Sequence, residues 1–269
     1  MTPILDAQGL CKKFGAVTAA WGISISVEPD TVVGLIGTNG AGKTTFVNMV
    51  TGYLKPDAGN IHFKGQDVTA LHPRQITRLG ICRSFQIPQL YDSLTVLENV
   101  VVALGIVLHN SKRSWWTRSP KIVPAYGTPL LAAAEMMLDR FGLRSYRSSR
   151  ARVLPEGVRK LLDIAMALAV KPEMLILDEP TSGVSTDEKF GIMDTVMSAA
   201  RSEGVTVLFV EHDMEIVSRY SKRVIAFYEG RVLADGAPAH VLGDPDVRKY
   251  VVGGQVTALS TSSKETTRA

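Results

Sequence analysis

The run Gly37-Thr38-Asn39-Gly40-Ala41-Gly42-Lys43-Thr44-Thr45 constrains this chain more than any other stretch. It has the form G-x-x-x-x-G-K-[ST] and lies between an apolar, strand-like run (Thr31 to Ile36) and a helix-like segment (Phe46 to Val50). That is the setting in which a phosphate-cradling loop forms. The glycines let successive backbone N–H groups turn inward, and the helix that follows aims its positive dipole end at the same point. Gly37, Asn39, Gly40, Ala41, Gly42, Lys43, Thr44 and Thr45 are therefore the candidate phosphate contacts. Lys43 is placed to reach β- and γ-phosphates, and Thr44 to offer Mg²⁺ a hydroxyl oxygen, a ligand that hard cation accepts.

With 269 residues, 45% of them apolar, the chain can bury a real core, as one large domain or as one domain with an inserted lobe. Its 30 basic and 26 acidic residues are interspersed and leave a net charge of only +4, which argues against a nucleic-acid groove. Cys11 and Cys82 stand far apart with no metal-ligand spacing around them, so neither a disulfide framework nor a zinc site is expected. The first residues carry no basic leader or long apolar stretch, which argues against export. The longest apolar run, Val100 to Leu108, has nine residues, where a membrane-spanning helix needs about 20.

Strand-like alternation over Gly22–Glu28 leads into the buried-looking strand before the glycine loop, and a Pro56–Gly59 turn leads into another strand-like run, Asn60 to Gly65. From about residue 88 to 152 the pattern turns helical, with helices expected near Val96–Leu108 and Leu130–Phe141 and a loop at 110–129. After Leu154 helices and strands alternate: a helix over Glu156–Val170, a strand over Met174–Leu177, a helix over Glu188–Glu203 and a strand over Val205–Val210. Such alternation implies a mainly parallel sheet covered on both faces. A hairpin follows over Val224–Leu233, and the Thr/Ser-rich residues 255–269 are expected to be a disordered tail. The fold class expected is α/β: a P-loop NTPase (RecA-like) core over 1–254, with an antiparallel β subdomain and an inserted α-helical lobe at 88–152.

Asp178 and Glu179 follow the apolar run Met174–Leu177, so the strand ends on two acids where open α/β sheets bind ligands. Asp178 is the candidate Mg²⁺ ligand, and Glu179 the candidate base that polarises the attacking water.

Glu179-Pro180-Thr181-Ser182-Gly183 after the acids, His212 at the end of the next strand, and Gln86 after Cys82-Arg83-Ser84-Phe85 together resemble the ATP-binding cassette family. The resemblance runs from about Leu5 to Gly253, with the motifs in the family's order. It implies that Phe14 stacks on the adenine, although by local sequence Phe14 reads equally as a core aromatic. It also implies that Gln86 touches Mg²⁺ and links the site to the helical lobe, and that His212 holds the γ-phosphate and the water with Glu179. Glu211-His212-Asp213-Met214, Ala234-Asp235-Gly236-Ala237-Pro238, Asp244-Pro245-Asp246-Val247 and Tyr250 further resemble the ATPase subunits of branched-chain amino-acid importers and of relatives that carry amides and urea.

The family's signature L-S-G-G-Q reads here Leu154-Pro155-Glu156-Gly157-Val158. Leu154 and Gly157 remain as contacts for the nucleotide of an opposing subunit. Proline lacks both a hydroxyl and an N–H, and Glu156 puts negative charge near a phosphate position unless it turns away or pairs with Arg159 or Lys160. Likewise Ser185 stands where the family has Asp or Asn.

The resemblance implies ATP and Mg²⁺ as cofactors and a peripheral place on the cytoplasmic face of the inner (plasma) membrane. It implies membrane permease subunits as partners, with a periplasmic solute-binding protein acting indirectly and no nucleic acid. The weakened signature points to a heterodimer with a second ATPase subunit, a homodimer being the alternative. Ile87-Pro88-Gln89-Leu90-Tyr91 is expected to receive the permease. Basic and aromatic residues at Lys112–Arg118 read as a solvated connector, or as a contact for anionic headgroups. The rival function is an ATP-gated cassette clamp that regulates a non-transport partner.

Overall fold

Strand β1 (Leu5–Phe14) and strand β2 (Val17–Val27) run antiparallel, from Leu5 opposite Val27 to Phe14 opposite Val17. The sequence reading has no strand before Gly22. The pair is longer because Leu5, Ala7 and Leu10 face Val27, Ile25 and Ile23 as buried partners, while register shifts around Gly9 blur the alternation in sequence. The structure, a computed structural model, describes residues 2–84, 89–110 and 122–253. Gln86, Ile87, Pro88, the Trp115/Trp116 connector and residues 255–269 lie outside the described residues.

The chain forms two compact units, Met1–Leu79 with Leu208–Ala269, and Gly80–Val207. In the first, strand β3 (Val32–Gly37) runs into the glycine loop, and helix α1 (Lys43–Val50) leaves it. Strands β4 (Ala58–Phe63) and β5 (Gln66–Asp67) then extend the antiparallel sheet in the order β2-β1-β4-β5, and helix α2 (Pro73–Leu79) closes this segment.

In the second unit, strand β6 (Ile81–Ser84) precedes helix α3 (Val96–Asn110). The residues expected to be loop up to 129 instead contain two short strands, β7 (Ile122–Val123) and β8 (Thr128–Pro129), paired antiparallel. Val123 is fully buried, and its carbonyl accepts from both Tyr126 N–H (2.9 Å) and Gly127 N–H (2.9 Å), which closes the turn. The Tyr126 hydroxyl donates to the Ala169 carbonyl at 3.1 Å. Burial, with the Glu203 carboxylate nearby, pushes the phenol above its ordinary pKa, so it stays a donor at any physiological pH.

Helix α4 (Leu130–Arg140) and helix α5 (Glu156–Ala169) pack on α3, burying Val100, Leu104, Ala133, Met137, Leu138 and Leu162. Strand β9 (Met174–Asp178) is parallel to β6, with Ile81 opposite Met174 and Ser84 opposite Leu177. Its five residues are all buried, as a continuous apolar run requires of a strand covered on both faces. Helix α6 (Thr186–Ser202) follows, tied to α4 through Arg140, which pairs with Glu203 and donates to the Ala199 carbonyl at 2.6 Å.

Strand β10 (Thr206–Val210) carries the chain back to the first unit. Just beyond it, Glu211 N–H donates to the Leu35 carbonyl of β3 at 3.3 Å. Helix α7 (Met214–Tyr220) was not expected from sequence; Asp213 caps it, accepting from Glu215 N–H (2.9 Å) and Ile216 N–H (3.3 Å). Strand β11 (Arg223–Tyr228) runs parallel to β3, and strand β12 (Arg231–Gly236) turns back antiparallel to it.

Helix α8 (Pro238–Gly243) and helix α9 (Pro245–Val247) end the fold with a π-helical turn over Arg248–Val252. The motif residues near this end do structural work. The Asp244 carboxylate caps α9, and the Tyr250 ring lies 4.7 Å from that of Tyr228.

Tyr126→Phe keeps the ring and removes the bond to the Ala169 carbonyl. That buried acceptor then loses a partner, and the expected cost is about 1–3 kcal/mol in urea unfolding.

Candidate nucleotide site

In the first unit the glycine loop is shaped by what surrounds it. Gly42 has φ +104, and a Cβ there would meet the Ala19 carbonyl oxygen of β2 at 2.6 Å. Gly37 has φ +154, and a Cβ there would meet the Phe227 carbonyl oxygen of β11 at 2.6 Å. Both positions therefore exclude any side chain, by backbone conformation and by space.

The loop is also held from outside by the turn between β11 and β12. Gly230 N–H donates to the Ala41 carbonyl at 3.0 Å, and the Gly230 carbonyl accepts from Trp21 N–H at 2.8 Å. Glu229 and Gly230 both have positive φ, +46 and +73, the geometry of a tight type I′ hairpin turn. The hairpin is legible in the sequence, whereas its contact with the loop is not. The Arg231 guanidinium, 4.5 Å from the Trp21 ring centroid, adds a second tie.

Gly42 sits at the N-cap of α1 with no side-chain cap, so no side chain competes for the N–H groups that a phosphate would take. Lys43 is 5% exposed, and its ammonium donates to the carbonyls of Gly37 (2.6 Å) and Thr38 (3.0 Å). These bonds hold the charge at the mouth of the loop. Thr44 is exposed and Thr45 half-buried; Asn39 and Gly40 are exposed at the tip, and Ala41 is buried.

Phe14, at the end of β1, is 52% exposed, with the Lys12 ammonium 5.9 Å from its ring centroid. At that exposure Phe14 is not a core aromatic. His212 is half-buried and lies two residues past β10, its N–H donating to the Glu211 carboxylate at 3.1 Å. Because Glu211 bonds to Leu35, His212 stands beside the end of β3 from which the loop departs.

In the second unit, Asp178 ends β9 and is 8% exposed. It pairs with Arg83 of β6, Nη2 to Oδ2 at 2.5 Å. Both side chains are about nine-tenths buried, so neither charge has bulk water to turn to. Arg83 is a residue that sequence reading missed, and its one signal there is a charge inside an otherwise apolar strand.

Glu179 follows with φ +49, a left-handed conformation rare for a non-glycine residue. Its carbonyl accepts from Ser182 N–H (3.1 Å) and from the Lys160 ammonium (2.9 Å). Leu154 is 7% exposed, and Pro155 is the N-cap of α5, with no side-chain cap bond. Glu156 is exposed, its stem 3.8 Å from where a Cβ on Gly183 would sit. The two cations that could neutralise it are drawn to other groups. Arg159 bonds Asp92 (2.9 Å) and the Ala151 carbonyl (2.6 Å), and Lys160 bonds Glu179. Gly157 is half-buried, and a Cβ there would meet Ile192 at 3.3 Å.

Among the described residues no three His, Cys, Asp or Glu side chains cluster to hold a metal. In the first unit Thr44 offers an exposed hydroxyl, and in the second Asp178 offers a strand-end carboxylate. Each is a hard oxygen donor, the kind that Mg²⁺ takes alongside phosphate oxygens and water. No helix among the described residues is long and apolar enough to cross a membrane.

Comparison with known proteins points to one family. Residues 21–182 match the family described as ABC transporter. The chain is 34% identical over 251 residues to the high-affinity branched-chain amino acid transport ATP-binding protein LivG of Escherichia coli (strain K12), covering 93% of this chain and 98% of that one. It is 33% identical to BraF of Pseudomonas aeruginosa, also named as a high-affinity branched-chain amino acid transport ATP-binding protein, over the same shares. A solved nucleotide-free ATP-binding cassette from an ABC transporter superposes with a TM-score of 0.77 at 30% identity, covering 93% of this chain and 98% of its own. The ADP conformation of an ATP-binding cassette of an ABC transporter gives the same TM-score, identity and coverage. This chain belongs to the ATP-binding cassette family of transporter ATPases. It is an α/β P-loop NTPase that binds and hydrolyses ATP, as the sequence reading expects.

Arg83→Met should leave Asp178 as an uncompensated buried carboxylate and destabilise the protein by about 3–5 kcal/mol, read as a lower denaturation midpoint.

Proposed function

We propose that this ATPase energises an importer for branched-chain amino acids or for related small polar solutes such as amides and urea. It works peripherally on the cytoplasmic face of the plasma membrane, on separate permease subunits that a periplasmic solute-binding protein supplies. The observation that carries this reading is the 34% identity to LivG along 93% of the chain, joined to a glycine loop and strand-end acids suited to a Mg²⁺-bound triphosphate.

In this reading the adenine stacks on the exposed ring of Phe14, an aromatic grip that does not read the base. The loop N–H groups between Gly37 and Thr45 receive the phosphates, except that of Ala41, which donates to the Thr38 carbonyl at 3.1 Å. Lys43 exchanges the carbonyls of Gly37 and Thr38 for β- and γ-phosphate oxygens, a trade of neutral acceptors for charged ones. Thr44, Asp178 and Gln86 would hold Mg²⁺, which neutralises charge on the phosphates when bound. Glu179 takes the proton of the attacking water, and His212 donates to the γ-phosphate and orients that water with Glu179. Phosphoryl transfer asks for positioning and charge neutralisation rather than covalent help from the protein.

The second subunit of the ATPase pair differs from this one. Pro155 offers no donor, and Glu156 stands exposed beside cations bonded elsewhere, so this chain's signature completes an opposing site poorly. A partner with a fuller signature leaves one strong and one weak hydrolytic site.

Glu179→Gln should retain ATP binding within about twofold and lower turnover on the order of 10²- to 10⁴-fold, as loss of a general base does; turnover near wild type would remove Glu179 from the chemistry. Glu156→Gly in the purified complex should raise steady-state ATPase by relieving repulsion at the opposing phosphate. Unchanged or lower activity would count against an unfavourable Glu156. Co-purification with a permease supports import, and uptake assays in a deletion strain identify the solute.

A further inference from the structure

Helix α5 carries two charged side chains on its buried face, one turn apart. Lys160 is 4% exposed and Asp163 8% exposed. Residues three apart on a helix point the same way, and both of these reach backbone groups of functional segments. The Lys160 ammonium donates to the Glu179 carbonyl at 2.9 Å. The Asp163 carboxylate accepts from Gln89 N–H at 3.1 Å, three residues beyond Gln86 in sequence.

A lysine held almost entirely away from water is costly unless its charge does something there. Here it meets a strained point. Glu179 has φ +49, a conformation that is strained for a non-glycine residue and persists only where the surroundings over-determine it. Two donors converge on its carbonyl oxygen, Ser182 N–H at 3.1 Å and Lys160 Nζ at 2.9 Å. The Ser182 bond is that of the local turn, whereas the Lys160 bond is charge-assisted and comes from a different element. Rotation about φ at residue 179 swings the bond to Cβ, and with it the direction of the carboxylate. The group that fixes this peptide therefore aims the side chain.

We infer that Lys160 is a positioning residue for Glu179: it locks the peptide after β9 in the left-handed conformation that points the carboxylate at the reacting water. The inference deepens the hydrolytic reading above and rests on it. Asp163 anchors Gln89 to the same helix face, so the helix that begins at the signature also holds the base and the segment that follows Gln86.

The test compares Lys160→Met, Lys160→Arg, Glu179→Gln and the Lys160→Met/Glu179→Gln double variant in the purified transporter complex, reading ATP affinity and single-turnover hydrolysis separately. Lys160→Met should leave ATP affinity within about twofold and lower the hydrolytic rate on the order of ten- to a hundredfold, the scale of a misplaced catalytic group. Lys160→Arg, which keeps charge and donors, should recover most of that loss. In the Glu179→Gln background Lys160→Met should cost nothing further, because a residue that acts only through Glu179 has nothing left to aim.

If Lys160→Met hydrolyses like wild type while Glu179→Gln does not, the inference fails and the hydrolytic role of Glu179 stands. Losses that multiply in the double variant, or a failure of Lys160→Arg to recover activity when its ATP affinity is intact, also overturn it. If Glu179→Gln itself turns over normally, the reading of Glu179 as base fails, and the inference with it.

Discussion

The first unit is organised around one constraint, a glycine loop that must keep the start of α1 open, with no side chain capping it. The loop meets that constraint by conformation. Gly42 and Gly37 take backbone angles that leave no room for a side chain, because β2 and β11 bring carbonyl oxygens to within 2.6 Å of where a Cβ would sit. The two strands therefore act as walls. The hairpin turn at Gly230 fastens the Ala41 carbonyl from the outside, a hold that needs no ligand. Preorganisation of this kind is what gives fixed dipoles their strength toward developing charge. Lys43 fits the same logic, since two loop carbonyls keep a nearly buried ammonium at the mouth of the cradle.

The second unit solves a different problem with interior charge. Asp178 ends a strand whose five residues are all buried, and Glu179 follows it directly. Arg83 compensates the first through a buried ion pair, and Lys160 grips the backbone of the second. Such pairs contribute little net stability, because desolvation offsets most of their attraction, but they fix geometry. The signature reflects the same economy of cations. Arg159 and Lys160 lie next to Glu156 in sequence, yet they serve Asp92, the Ala151 carbonyl and Glu179. The negative charge at Glu156 is left facing outward, and this gives the signature's departure from its family pattern a physical consequence.

The features legible in sequence are those that depend on neighbours along the chain. A strand, a glycine loop and a helix in succession announce the phosphate cradle, because the positive φ values and the uncapped helix start belong to consecutive residues. The same holds for the acids that end β9 and for α3, α5 and β10, whose apolar periodicity matches the elements observed within a few residues. Other elements escaped. The N-terminal half of the β1–β2 pair is blurred by register shifts near Gly9. The β7–β8 turn is too short to show a period, and α7 rests on the Asp213 cap with seven residues of helix behind it. The fraction of Phe14 left open to solvent was undecidable from its neighbours, since an aromatic residue at a strand end suits either a core or a ligand.

By itself, then, the sequence determined the class of the protein and marked the glycine loop and the strand-end acids as candidate contacts for phosphate and water, because each is encoded in a contiguous run. Only the tertiary structure decided which charges support those acids. Arg83 reaches Asp178 across 95 positions, Gln89 reaches Asp163 across 74, and Lys160 reaches Glu179 across 19. No local pattern announces such pairings. A lysine or aspartate on a helix reads as solvated until the packing of that helix removes the water, and it is the loss of water that turns these side chains into fixed parts of the site.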